Sequence, residues 1–312
     1  MMTLSETASP FGRLLTAMVT PFDQELNIDY KAVERIVNHL IGTGTEGIIV
    51  GGTCGESPTL EDSERYVLLN KVISIAKGRA KVLLGAGFNS TKKAARLSSE
   101  AEKLGADGIL SVVPYYNKPS QAGLIEHFAA IAKATPLPII VYNIPGRTSI
   151  NLTIETTLHL AEKFPNIIAL KDCFGSTDQA AEIIRLAPER FSVYTGDDHL
   201  ILPVLAIGGC GVISTAGSLV GGSISQIISS YLQGNVINAK EIYYQCLPLF
   251  KGLFTAPNPT CLKYAMSRQG LCSPYLRLPL IQLNEQERSA LDRVLDASPL
   301  DPVDTKVPVT TA

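Results

Sequence analysis

The chain of 312 residues predicts an α/β protein, a (β/α)8 barrel followed by a small C-terminal helical domain. Three observations carry that expectation. Short β-branched runs alternate with polar loops and amphipathic helical segments over about the first 220 residues. The runs number eight, the count that closes a parallel barrel within roughly 250 residues. They are near-continuous apolar stretches, as strands covered on both faces require.

In order, the runs are Leu14–Thr20, Gly47–Gly52, Val82–Gly87, Gly108–Val113, Pro138–Asn143, Asn166–Lys171, Phe191–Gly196 and Cys210–Ser214. Helical patterns such as Tyr30–Leu40, Ser63–Ala76, Thr91–Leu104 and Gln121–Ala134 fall between them. A doubly wound sheet also alternates strands and helices, but here the first run leads into Pro21-Phe-Asp23 and not a GxGxxG turn. From Ser223 onward the strand pattern stops. Ile224–Gln233, Val236–Leu253, Cys261–Gln269 and Glu285–Ala297 read as helices. The expected division is an N-terminal arm over 1–12, the barrel over 13–222, a helical domain over 223–297 and a flexible, proline-containing tail over 298–312.

Composition narrows the function. Apolar residues make up 46% of the chain and charged residues 18%, which suits a large core and excludes global disorder. A formal net charge of -2 without a local Lys/Arg cluster gives no nucleic-acid footprint. No apolar run reaches membrane-spanning length, and the N-terminus lacks the basic and apolar regions of a signal peptide. Six scattered cysteines form no CxxC pair, so a reduced, cytoplasmic location is expected. His39, His127, His159 and His199 have no metal-ligand spacing, and no metal is expected.

In a barrel of this kind, function gathers at the carboxyl ends of the strands. There Lys171 is a lone charge ending the apolar run Asn166-Ile-Ile-Ala-Leu-Lys171. Burying an amine is costly unless something uses or satisfies it. Strand alternation places Ile167, Ala169 and Lys171 on one face. If that face lines the barrel, a neutral Lys171 is positioned to form a Schiff base with a carbonyl substrate. A free lysine, near 10.4, is almost fully protonated at neutral pH, so the site must assist its deprotonation. The plain alternative is a rim lysine paired with Asp172.

Other strand ends supply what such chemistry needs. Tyr142, on the same interior face as Ile140, offers a phenol for proton relay, and Thr53 and Tyr116 can extend it. Arg147 presents a fork that matches a carboxylate. Each also has a structural reading, as a loop wedge or a solvated side chain. Gly51-Gly-Thr-Cys-Gly-Glu-Ser57 has no Gly-Lys-Ser/Thr and is no Walker motif; its N–H groups suit a substrate carboxylate.

Seven segments, taken together, resemble the 4-hydroxy-tetrahydrodipicolinate synthase family of pyruvate-dependent lyases, from about Gly12 to Leu280. They are Thr16-Ala-Met-Val-Thr-Pro-Phe22, Gly52-Thr-Cys-Gly-Glu-Ser57, Val113-Pro-Tyr-Tyr-Asn-Lys-Pro119, Tyr142-Asn-Ile-Pro-Gly-Arg-Thr148, Ala169-Leu-Lys-Asp172, Gly196-Asp-Asp198 and Gly211-Val-Ile-Ser214. The resemblance implies a TIM barrel, a tetramer built from tight dimers and no cofactor beyond a covalent lysine imine. It makes Lys171 the residue that binds pyruvate. Thr53, Tyr116 and Tyr142 become the relay, with Tyr116 reaching into the partner's site. Arg147 falls where the carboxylate of aspartate semialdehyde binds, and Gly196 and Ile213 where backbone lines the pyruvate site. N-acetylneuraminate lyases share the lysine and tyrosine but carry a small or apolar residue at the Arg147 position. Other pyruvate aldolases, or a non-catalytic binding barrel, remain alternatives.

Two departures stand out. Cys54 occupies the place of a second threonine whose hydroxyl helps hold pyruvate; such a charge-assisted bond contributes about 1.5–3 kcal/mol, so a weaker hold is expected. The family's lysine-effector cleft maps onto Ser57, Asp62, Arg65, Asn89, Lys93 and Tyr115. Arg65 and Lys93 stand where sensitive bacterial members tend to carry a histidine and a glutamate. Cations there oppose an incoming ammonium, so weak or absent lysine inhibition is expected.

Overall fold

The computed structural model describes residues 10–303. Most of the expected arm, up to residue 9, and the expected tail from 304 lie outside the described residues. Eight strands, β1 (Leu14–Ala17), β2 (Gly47–Val50), β3 (Lys81–Gly85), β4 (Gly108–Val112), β5 (Ile139–Asn143), β6 (Ile167–Asp172), β7 (Ser192–Thr195) and β8 (Gly211–Ser214), each pair in parallel with the next. β8 returns to β1 with Leu15 opposite Ile213, closing the barrel. Six of the strands lie within the runs read from sequence; β3 begins one residue before its run, at Lys81, and β6 ends one residue after its run, at Asp172.

Helices α1 (Tyr30–Gly42), α2 (Asp62–Ala76), α3 (Thr91–Lys103), α4 (Gln121–Ala134), α5 (Pro145–Thr148), α6 (Ile154–Lys163), α7 (Thr177–Leu186), α8 (Ile201–Ala206) and α9 (Gly217–Leu232) alternate with or follow the strands. α10 (Val236–Gly252), α11 (Thr260–Arg268) and α12 (Glu285–Asp296) complete the C-terminal layer. Their starts are written locally. Asp29, Ser90, Ser120, Thr153, Ser176 and Asn235 each accept a hydrogen bond from an N–H of the first helical turn. Asn284 and Glu287 form a reciprocal capping box. Among the described residues, no helix is long and apolar enough to cross a membrane.

Two apolar layers result. Leu15, Ile49, Leu83, Leu110, Ile140, Ala169, Tyr194 and Ile213 fill the barrel, and Phe11 packs beneath them. The alternate positions, such as Leu14, Ile48, Leu84, Val141 and Leu170, face the helices. Each such aliphatic side chain contributes roughly 1.5–3 kcal/mol on burial. The Tyr194 hydroxyl donates to the Gly12 carbonyl at 2.5 Å, sealing the end opposite the functional rim.

The expected face assignment of β6 needs one correction. Ile139 pairs with Ile167, but Ile140 pairs with Ala169, so Ile168 is an extra residue in the ladder. This bulge puts Ile167 in the outer layer, while Ile168 packs with the inner one. Ala169 stays inside, and Lys171 remains opposite Tyr142.

The expected boundary at residue 222 falls inside α9, just after a kink at Val220 with φ -137° and ψ 36°. Residues 298–303 of the expected flexible tail are held: the Asp301 carboxylate accepts from Gly222 N at 3.1 Å, and its own N–H donates to the Leu219 carbonyl. Two ion pairs tie the C-terminal layer to the β2 loop and to α2. Lys263 Nζ lies 2.5 Å from Glu56 Oε1, both side chains being buried. Arg277 donates to both oxygens of Glu64, at 2.7 and 2.6 Å.

Candidate active site

The carboxyl ends of the strands open into a cavity of about 330 Å³. Its lining includes Thr53 from the β2 loop, Tyr142 at the end of β5 and Arg147 on the one-turn helix α5. Arg147 is exposed at the mouth. The C-terminal layer supplies Asn258, Pro279 and Leu280. Those three went unnoticed in the sequence. The one local signal was the pair of X-Pro steps Asn258-Pro259 and Leu278-Pro279, which mark rigid turns without saying where they dock.

Lys171 and Tyr142 are cross-strand partners. Both are 5% exposed, and the lysine Nζ sits 4.3 Å from the centre of the tyrosine ring. A cation over a desolvated ring face is attracted by the ring quadrupole. Burial holds the Tyr142 phenol well above its ordinary range, Cys173 adds to that, and a hydrogen bond with Thr53 opposes it. Tyr142 therefore stays protonated, a donor able to accept a second proton only in exchange. The amine, phenol and Thr53 hydroxyl thus form a contiguous polar group at the barrel's rim.

Gly196, following β7, is dictated by packing. A Cβ there would stand 2.4 Å from Lys171 Cε and 2.3 Å from Cys173 Sγ. The lysine stem and the Cys173 thiol both lie across this backbone. Cys173 is a residue that sequence reading passed over: its thiol is 3.9 Å from the Tyr142 oxygen, and burial pushes its titration upward. Ile213 is fully buried in the barrel core.

Cys54 is buried, its sulfur 3.5 Å from Thr215 Oγ1 and 3.3 Å from Asn258 Nδ2. Its thiol thus joins the β2 loop to the C-terminal layer. Asp172 accepts from Asn143 Nδ2 at 3.0 Å and from Phe174 N at 3.2 Å; burial lifts it to about 6 against those bonds. Asp198 is held by Ser214 and by the N–H groups of Thr215 and Ala216, with burial again raising it.

Tyr116 stands apart in this single chain. It is 89% exposed and adopts φ +74°, a left-handed backbone that costs a bulky residue on the order of 1–3 kcal/mol.

The positions expected to form an effector cleft separate in the structure. Arg65 is fully buried and donates to Ser57 Oγ at 3.0 Å, Ser57 O at 2.8 Å, Gly51 O at 3.3 Å and Gly85 O at 3.4 Å. Lys93 pairs with Asp62 at 3.4 Å and lies 3.9 Å over the Phe88 ring. Asp62 also receives Arg96 at 2.5 Å. Tyr115 and Ser57 line the same cavity as Tyr142 and Arg147, and the Asn89 carbonyl accepts from Asn117.

The dihydrodipicolinate synthetase family model matches residues 10–298. The 4-hydroxy-tetrahydrodipicolinate synthase of Heliobacterium modesticaldum is 47% identical over 291 residues, 93% of this chain and 97% of that protein. The Bacillus subtilis enzyme of the same name is 43% identical over 285 residues, 91% of this chain and 98% of its own length. A crystal structure of dihydrodipicolinate synthase from Bacillus anthracis aligns with TM-score 0.91 at 41% identity, covering 93% and 99% of the two chains. One from Cyanidioschyzon merolae with lysine bound aligns with TM-score 0.90 at 44% identity, covering 92% and 98%. On this sequence match and shared barrel, the chain belongs to the dihydrodipicolinate synthetase family.

Proposed function

We propose that this protein condenses pyruvate with L-aspartate 4-semialdehyde to 4-hydroxy-tetrahydrodipicolinate, using Lys171 as a covalent amine. The carrying observation is the buried Lys171–Tyr142 pair at the rim of a cavity that also presents Arg147. The neutral Lys171 amine attacks the pyruvate ketone, and the carbinolamine loses water to give an imine. Loss of a methyl proton turns the imine into an enamine. Its carbon attacks the aldehyde, forming the new C–C bond, and the aldehyde oxygen takes a proton. The amino group of the second substrate then displaces Lys171, closing the ring and restoring the enzyme.

Tyr142 and Thr53 move the protons that enter and leave at the pyruvate ketone oxygen and the Lys171 nitrogen. Arg147 at the mouth holds the carboxylate of the semialdehyde. Backbone at Gly196 and Ile213 and the Cys54 N–H border the pyruvate end. Tyr116 completes the relay in a second copy of the chain: its exposure and strained backbone suit a side chain that another subunit covers. We also propose a homotetramer built from tight dimers, in the cytoplasm, a compartment that suits six unpaired cysteines.

A coupled assay offering pyruvate with aspartate semialdehyde, N-acetylmannosamine or sugar aldehydes tests the reading. Turnover with aspartate semialdehyde, lost in Arg147→Ala mainly through KM for that substrate, is expected. Preference for N-acetylmannosamine, or an Arg147→Ala variant with unchanged kinetics, contradicts it.

A further inference from the structure

One register step beyond Tyr142 and Lys171, the strands carry Asn143 and Asp172, also directly paired. Alternation turns these two outward, away from the catalytic pair. Asn143 is fully buried, with both amide N–H groups and its carbonyl oxygen hydrogen-bonded. Its Nδ2 donates to Asp172 Oδ1 at 3.0 Å and to Asn151 Oδ1 at 2.8 Å. Its Oδ1 accepts from Leu152 N at 3.0 Å.

These bonds reach two different parts of the site. The bond to Asp172 joins the ends of β5 and β6 where Lys171 and Tyr142 project inward. The bonds to Asn151 and Leu152 close the turn 144–150, which carries Arg147. Asn151 is anchored in turn, donating to Gln179 Oε1 on α7 at 2.9 Å and accepting from Gln121 Nε2 of α4 through its carbonyl at 2.9 Å. One side chain thus fixes the amine's strand and the arginine's turn to a common frame.

We propose that Asn143 is a positioning residue that sets the Lys171–Tyr142 pair and the Arg147 turn together, acting through Asp172 and Asn151. This rests on the Schiff-base reading given above. A buried amide suits the task because it donates twice and accepts once from a rigid plane, which no hydroxyl can do. Misplacement of reacting groups by about 1 Å costs on the order of a hundredfold in rate. The frame therefore needs to fail only slightly for turnover to suffer.

A swap distinguishes positioning from general stability. Asn143→Asp sets two carboxylates against each other where one hydrogen bond now spans 3.0 Å. Adding Asp172→Asn restores a donor facing an acceptor between the strands, with the direction reversed, while the donor to Asn151 stays lost, so recovery is partial. Expected is a fall in kcat/KM for the aldehyde on the order of a hundredfold in Asn143→Asp. Recovery of about tenfold or more is expected in the double variant. The pyruvate adduct on Lys171, trapped with borohydride, should slow and recover in parallel.

An Asn143→Asp variant within about threefold of wild type, or a double variant with native melting temperature and no recovery, overturns the role. If either variant does not fold, Asn151→Ala decides: it removes one half-buried acceptor from the same frame. A rise in aldehyde KM of about fivefold or more with unchanged pyruvate KM supports positioning, and unchanged aldehyde KM contradicts it. The wild-type adduct is measured first. Its absence sinks the Schiff-base reading, whereas a normal adduct with an unresponsive swap sinks only the role of Asn143.

Discussion

Replacing Gly196 with alanine adds a single methyl group where the structure leaves no room. The new Cβ would lie 2.4 Å from Lys171 Cε and 2.3 Å from Cys173 Sγ. Ordinary carbon contacts begin near 3.5 Å, so the lysine stem must retreat by roughly 1 Å. Both opposing atoms belong to side chains and not to backbone, so the barrel tolerates the change at about 1–3 kcal/mol of overpacking. The amine does not tolerate it, because a shift of about 1 Å takes it off the attack line and costs on the order of a hundredfold in kcat. Steady-state kinetics, the rate of pyruvate trapping and a urea titration on one preparation separate the two effects. Adding Cys173→Ala relieves the sulfur contact but leaves the lysine contact, so it should restore stability more than rate. Full activity in Gly196→Ala would refute the claim that this backbone sets the lysine's position.

Other expectations follow from the same contacts. Lys263→Met leaves Glu56 charged and buried, which should cost about 3–5 kcal/mol in urea unfolding. Adding Glu56→Gln should recover most of that loss, and equal losses in the single and double variants would contradict the pairing. Asp172 is mostly buried and lifted from 3.8 to about 6, so the folded state binds its proton more tightly than the unfolded chain. Its favourable contribution is complete below about 3.8 and is lost as pH rises through about 6. Asp172→Asn should therefore gain stability relative to wild type between pH 4 and pH 7, up to about 3 kcal/mol, and a flat difference across that range counts against it. Cys54→Thr should lower the KM for pyruvate; unchanged kinetics would show that the Thr215 and Asn258 contacts, and not substrate grip, define this position. Millimolar lysine should inhibit weakly, because Arg65 is committed to carbonyls and Lys93 to Asp62. Strong inhibition at sub-millimolar lysine, abolished by changing Lys93, would overturn that expectation.

The eight strands were legible because each apolar run is local and bounded by turn residues. The β6 bulge was not, since period-two alternation has no symbol for an inserted residue such as Ile168. Lys171 nonetheless kept its expected face, because the extra residue lies below Ala169 and the pairing resumes in register. The boundary expected at 222 lies two residues past the kink at Val220, where the backbone leaves helical geometry within α9.

At the site, Lys171, Tyr142, Thr53 and Arg147 were readable as chemistry-bearing residues at strand ends. Asn258, Pro279 and Leu280 were not, because their contribution rests on contacts more than 200 residues away in sequence, such as the one between Asn258 and Cys54. Cys173 was overlooked as one of several scattered thiols. Its significance comes from Gly196 and Tyr142, two other strands away from any sequence neighbour. The Lys263–Glu56 pair is equally long-range, and neither residue advertises the other.

The central claim is that Lys171 is the covalent amine. Incubation with pyruvate and borohydride, followed by peptide mass spectrometry, tests it most directly. A reduced pyruvate adduct on Lys171, suppressed in Lys171→Ala and absent when either pyruvate or borohydride is omitted, is the predicted result. An unmodified Lys171 in protein that still turns over pyruvate and aspartate semialdehyde would contradict the account.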